Sequence, residues 1–175
     1  PTITSSPTPA GNPEASLGKP DWKNTFTDGN EGFYDDDDEY TIITANNGKL
    51  FLESTMKIRG WHGWSMHHHK IDNYYLEAVI NLQNCGGQDE YGIIFRGPDY
   101  SNGYFYGLTC NGKYSLRTHN AGKYQAIVDW SQSPVINSGA NQTNKLGLLV
   151  NGNQISLYVN DQLLQQASAD QYNGK

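Results

Sequence analysis

The chain has 175 residues, 36% of them hydrophobic, 12% aromatic and 17% charged, with 19 glycines and a formal net charge of −6. That length provides for one ordinary domain with its own core, and a glycine-rich, aromatic composition suits β structure better than helix. The negative balance argues against a nucleic-acid partner, and no apolar run reaches the roughly 20 residues needed to span a bilayer.

The first segment, "PTITSSPTPAGNPEAS", is a Pro/Ser/Thr tract that cannot bury a core, so residues 1–20 read as an extended linker and 21–175 as the folded domain. Such tracts commonly tether domains outside the cell, which suggests an extracellular or cell-surface protein. "YDDDDEY" at 34–40 gathers hard oxygen donors, and "EYTIIT", "ANNG" and "KLFLEST" then spell a hairpin around Asn47-Gly48. "RGWHGWSMHHHK" follows as a glycine-flanked loop carrying Trp61 and Trp64.

In "NYYLEAVINL", Tyr74, Leu76, Ala78, Ile80 and Leu82 share one face, while Tyr75, Glu77, Val79 and Asn81 share the other. "EYGIIFR", "GYFYGLTC", "KYSLRTH" and "KYQAIVDW" succeed one another across short turns. "NKLGLLVNGNQISLYVNDQLLQQAS" then gives three strands joined at Asn151-Gly152-Asn153 and Asn160-Asp161. Strands about every ten residues, with no convincing helix, predict an all-β, two-sheet antiparallel sandwich or barrel. If 76–84, 91–96 and 103–110 form a meander, Cys85 and Cys110 lie at one end, two strands apart. Two strand spacings are about 9.6 Å, too far for a disulfide in flat geometry. A bridge would need the loop "NCGGQDE" to fold over the strand between, and the pairing stays open at this point.

The runs "YGIIFRGPDYSNGYFYGLTCNGKYSL" and "VDWSQSPVINSGANQTNKLGLLVNGNQISLYVNDQLLQQASADQYNGK", with "DWKNTFTD" and "GFYDDDDEYTI" upstream, resemble bacterial extracellular domains of the concanavalin A-like lectin/glucanase (laminin G-like) superfamily. The resemblance covers Asp21 to Lys175 and implies a jelly-roll sandwich. It also implies a further strand after "QYNGK", so that the chain either is a fragment or takes a strand from a partner. It does not fix an activity, because lectins, glycosidases, adhesion modules and sensors share this fold.

The site must therefore come from residues. Arg96 closes "YGIIFR" on the face opposite Tyr91, Ile93 and Phe95, and a meander would set it beside Glu77 and Asn81. Arg, Asn and carboxylate groups suit sugar hydroxyls, and flat rings suit the C–H faces of pyranoses. The candidate ligand-binding set is Arg96, Glu77, Asn81, Asn102, Tyr104, Trp61 and Trp64; the plain alternative is an Arg96–Glu77 cross-strand pair. Trp22 and Trp130, each at a strand boundary, read as core anchors. Asp35, Asp36, Asp37 and Asp38 are candidate calcium ligands, since calcium is frequent in such domains, although their spacing is not that of an EF-hand loop. In "MHHHK" only His67 and His69 share a face, with His62 near by, and no structural-zinc spacing accompanies them.

No Glu-x-Asp-x-x-Glu run of the retaining jelly-roll glucanases occurs, and no nucleophile elbow. The leading expectation is a non-catalytic carbohydrate-binding or recognition module whose partner is a glycan or surface polysaccharide. The alternative is a structural or assembly domain with protein partners, and a glycoside hydrolase is the weaker third reading.

Overall fold

The computed structural model describes residues 11–56, 58, 62–67 and 71–172. These contain one short helix, α1 (Glu14–Leu17), and eleven strands: β1 (Asp36–Asp37), β2 (Thr41–Asn46), β3 (Lys49–Ser54), β4 (Tyr74–Asn81), β5 (Glu90–Asp99), β6 (Asn102–Thr109), β7 (Lys113–Asn120), β8 (Lys123–Gln132), β9 (Thr143–Asn151), β10 (Gln154–Val159) and β11 (Gln162–Ser168). They form two compact units, one of described residues 19–67 and one of 11–18 with 71–172.

The larger unit is an antiparallel sandwich of jelly-roll type. One sheet runs β11-β10-β9-β4 and the other β5-β6-β7-β8. Period-two alternation in each strand sends one set of side chains inward. Tyr104, Tyr106, Leu108 and Leu116 come from one sheet, and Leu146, Leu148, Val150, Ile155, Leu157 and Val159 from the other, all fully buried. Each such side chain contributes about 1.5–3 kcal/mol on leaving water. Two core tyrosines keep polar handles: Tyr106 Oη donates to the Tyr158 carbonyl at 2.9 Å, and Tyr104 Oη accepts from the Tyr172 amide at 2.9 Å. The tight turns fall where the sequence places them, with Gly152, Asn160 and Asp161 all at positive φ.

The 76–110 meander is not formed. β4 pairs with β9, from Tyr74↔Val150 to Asn81↔Thr143, so residues 82–89 carry the chain from one sheet to the other. The crossing delivers the chain to Glu90, which pairs with Thr109 at the end of β6. Cys85 and Cys110 flank that pair and are disulfide-bonded, with Cα atoms 5.4 Å apart. The flat-sheet spacing does not apply, because no strand lies between them.

Residues 11–17 are held by the sandwich unit. Gly11 bridges Gln162, the Asn12 amide donates to the Asp161 carbonyl at 3.2 Å, and α1 follows directly. The smaller unit carries the sheet β1-β2-β3, with the expected hairpin turn at Asn47-Gly48. His67 in this unit lies 5.4 Å from Trp22 and 5.5 Å from Phe33 between ring centres, a packing role. His68 and His69 lie outside the described residues.

Candidate functional site

A cluster of polar and aromatic groups lies on the side of the β5-β6-β7-β8 sheet that faces away from the core. Tyr104, Tyr106 and Leu108 point inward, so Phe105 and Gly107 point the other way; Leu116 inward likewise places Arg117 outward. Arg117 forms an ion pair with Glu90 of β5, across Gly107 of the strand between them. A Cβ at position 107 would overlap the Glu90 carboxylate, so glycine lets the pair lie flat on the sheet.

Three rings surround the same guanidinium. Its Cζ lies 5.0 Å from the Phe105 ring centre, 4.8 Å from Tyr124 and 4.9 Å from Trp130. Each is within cation–π range. His119 stacks on Tyr124 at 4.8 Å. The β7–β8 pairing is irregular around Leu116, which is what brings Trp130 into line with Arg117. Burial and the Glu90 carboxylate raise the Tyr124 phenol against the opposing pull of Arg117, so it stays a neutral donor. The Glu90 and Arg117 side chains are only 10% and 13% exposed, whereas Trp130 is 39% exposed and forms the rim.

This constellation was missed in the sequence. A signal for it existed in "KYSLRTH", whose alternation sets Ser115, Arg117 and His119 opposite Tyr114 and Leu116. Trp130 is not the core anchor expected of it, and neither is Trp22, which is 42% exposed.

The candidate set read from sequence is dispersed by the fold. Glu77 and Asn81 lie on β4, in the opposite sheet from Arg96 and Asn102. Glu77 accepts from Tyr75 Oη at 2.7 Å and from Asn12 Nδ2 at 2.8 Å, and it faces Lys145 Nζ at 3.3 Å. Burial and the Glu77 bond together hold the Tyr75 hydroxyl protonated far into the alkaline range. Asn81 accepts from Thr143 Oγ1 at 2.8 Å. Asn102 Nδ2 donates to both carboxylate oxygens of Asp99 at 2.9 Å, closing the β5–β6 turn and helping hold the Asp99 carboxyl below its usual range. Tyr104 has no exposed surface and offers a ligand no platform, because its ring belongs to the core set of β6. Trp64 is a half-buried member of the smaller unit, and Trp61 lies outside the described residues. Arg96 does not pair with Glu77; its Nη2 donates to the Asp72 carbonyl at 2.9 Å.

The four aspartates do not fit a calcium centre. Asp36 and Asp37 occupy successive strand positions and so project to opposite faces. Asp35 accepts from Asn30 Nδ2, and Asp38 Oδ1 is taken by the amides of Tyr40 and Thr41. Among the described residues, the acidic trio whose oxygens do converge is Glu14, Glu77 and Asp161. The Lys145 ammonium already lies among them, at 3.2, 3.3 and 2.5 Å.

No known protein family matches the chain, and no curated protein does. Among solved structures, the chain is similar to the carbohydrate-binding module CBM66 from Bacillus subtilis. The identity is 17%, over 75% of this chain and 72% of that one, with a TM-score of 0.53. That likeness establishes the fold. A sheep galectin-11 complex with glycerol also matches, at 17% identity over 56% of this chain and 72% of that one; its TM-score of 0.41 is too low to carry an argument.

Proposed function

We propose that this chain is a non-catalytic carbohydrate-binding module of an extracellular protein, and that it takes its ligand at the Arg117 face. The observation that carries this reading is the fixed guanidinium of Arg117, paired with Glu90 and enclosed by three aromatic rings, with Trp130 at its exposed rim. Sugar recognition needs rigid hydrogen-bonding groups beside a flat apolar platform, and pre-organised groups bind without an ordering penalty. The sandwich shared with CBM66 supports the reading at the level of fold. Location outside the cell is supported by the disulfide, which persists in oxidising compartments.

A glycan array probed with the purified chain, with calcium and again with EDTA, tests the proposal. The expected result is a coherent set of related glycans, unaffected by EDTA, that disappears for Trp130→Ala. A blank array, or one unaltered by that substitution, would count against it.

A second reading, an assembly domain, is favoured by β4. That strand pairs only with β9 among the described residues, and Val79 on it is 62% exposed. An unprotected edge of this kind accepts a strand from a partner. Light scattering on the same sample, showing a discrete oligomer beside a blank array, would favour it over glycan binding.

A further inference from the structure

Edge strand β11 carries none of the features that usually keep such an edge from pairing. Its seven residues, Gln162–Ser168, include no charged side chain and no proline, and Gln162, Gln165, Gln166 and Ser168 are exposed. β10 lies on one side of it, and on the other the described residues supply a single bridge, Gly11 opposite Gln162. That bridge is antiparallel, so the chain before Gly11 is aimed along β11, toward Leu163 and on to Ser168. Side chains fix the same heading. Asn12 Nδ2 donates to Glu77 at 2.8 Å, Asn12 Oδ1 accepts from the Glu14 amide at 2.8 Å, and Glu14 faces Lys145 Nζ at 3.2 Å.

The bond beside that bridge sets the phase of whatever precedes it. It runs from the Asn12 amide to the Asp161 carbonyl at 3.2 Å, one residue beyond each bridge partner, so Gly11 and Gln162 form a non-hydrogen-bonded pair. In an antiparallel ladder alternate residues turn their N–H groups to the neighbour. A strand continued before Gly11 therefore turns those of Ala10, Thr8 and Ser6 toward β11, as Asn12 does, and positions 9, 7 and 5 away from it. The sequence there is Ser5-Ser6-Pro7-Thr8-Pro9-Ala10. Both prolines fall on the outward phase, where a missing N–H loses no ladder bond and an edge strand tolerates proline. A shift of one residue would put both on the inward phase and prevent pairing. The irregular β10–β11 register at Leu157/Tyr158 leaves this intact, because the incoming phase is set at Gly11.

We propose that the open edge of β11 is a strand-docking site and that its occupant is this chain's own residues 6–10, which lie outside the described residues. They extend the four-stranded β11-β10-β9-β4 sheet by a fifth strand, antiparallel to β11. Residues 6–10 and β11 are both without charged side chains, so no like-charge repulsion opposes their pairing. Attachment at Gly11 makes the contact intramolecular, and so short a tether gives an effective concentration above that of a second copy in dilute solution. Part of the Pro/Ser/Thr tract is then an element of the fold rather than a spacer, and β4 remains the edge of that sheet open to a partner. The proposal stands independently of the Arg117 face.

The test is amide–water exchange by NMR on the 175-residue chain, read at Ser5, Ser6, Thr8 and Ala10, with light scattering on the same sample. Relative to unstructured peptides, the Ser6, Thr8 and Ala10 amides should exchange about tenfold or more slowly and Ser5 at the free rate, in a monomer and at every protein concentration. Thr8→Pro, which removes an inward donor, should return Ser6 to the free rate. Ser5→Pro, on the outward phase, should leave Thr8 and Ala10 protected. Free exchange at all four positions, or protection of Ser5 in place of Ser6, would overturn the proposal. Protection that appears only as a dimer forms would overturn it too, by giving the edge to a second copy. The exchange pattern is read on the wild-type chain, so it does not depend on whether a variant folds, and the array result for Trp130→Ala is untouched by any of these outcomes.

Discussion

Gly107 and Glu90 occupy one space on the sheet: a methyl group at Gly107 would overlap the Glu90 carboxylate and lie 3.3 Å from Arg117 Nη2. Gly107→Ala should therefore displace the ion pair and weaken glycan binding. The intruding methyl should also destabilise the fold by about 1–3 kcal/mol, as overpacking generally does. Chemical denaturation together with the array separates the two effects. A variant with unchanged stability and unchanged binding would show that the pair is not held by this contact.

Trp130 should separate binding from folding. It is 39% exposed and contributes one of three ring contacts to Arg117, so Trp130→Ala should cost only about 0.5–1 kcal/mol of stability. Loss of the stacking platform should lower glycan affinity about tenfold. Titration calorimetry with an array-selected glycan measures the second quantity and thermal melting the first.

The disulfide should contribute about 3 kcal/mol, given a sequence separation of 25 residues between Cys85 and Cys110. Urea unfolding with and without reductant checks this. The double variant Cys85→Ser with Cys110→Ser should match the reduced protein rather than the oxidised one.

Alkaline pH should unfold the protein through its tyrosines. Burial pushes both Tyr74 and Tyr91 up to about 12 from an ordinary value of 10.0, the nearby Arg96 charge opposing it at Tyr74 and the Asn144 bond at Tyr91. Their folded-state values exceed the unfolded ones, so their contribution is intact below pH 10 and falls as pH rises from 10.0 toward about 12, where the unfolded chain binds fewer protons. Circular dichroism against pH should show stability declining across that interval. Tyr91→Phe should flatten part of the decline.

Strand positions were legible because most turns carry their own chemistry: Asn-Gly at 47–48 and 151–152 and Asn-Asp at 160–161 each force a reversal whatever surrounds them. Inward faces were legible too, since Tyr91, Ile93 and Phe95 do pack on the core. Sheet membership was not. Alternation shows which residues share a face but not which strand lies beside them, so β4 reads the same paired with β5 or with β9. That single ambiguity misplaced Glu77 and Asn81 beside Arg96 and made the cysteines look too distant. The Arg117 face was harder still, because it is assembled from β5, β6, β7 and β8 and depends on the irregular pairing that aligns Trp130.

The link between Cys85 and Cys110 makes the β5–β6 hairpin a covalently closed ring, with Arg96 and the 54% exposed Tyr100 on its circumference. A protease that severs the chain at Tyr100 would open the ring without releasing either half. The nicked molecule would migrate as one species until reduced and as two fragments afterwards. The Arg96 and Gly103 sides of the break would stay tethered through the distant bridge, so this exposed turn can be lost as a peptide bond and still be kept as a shape.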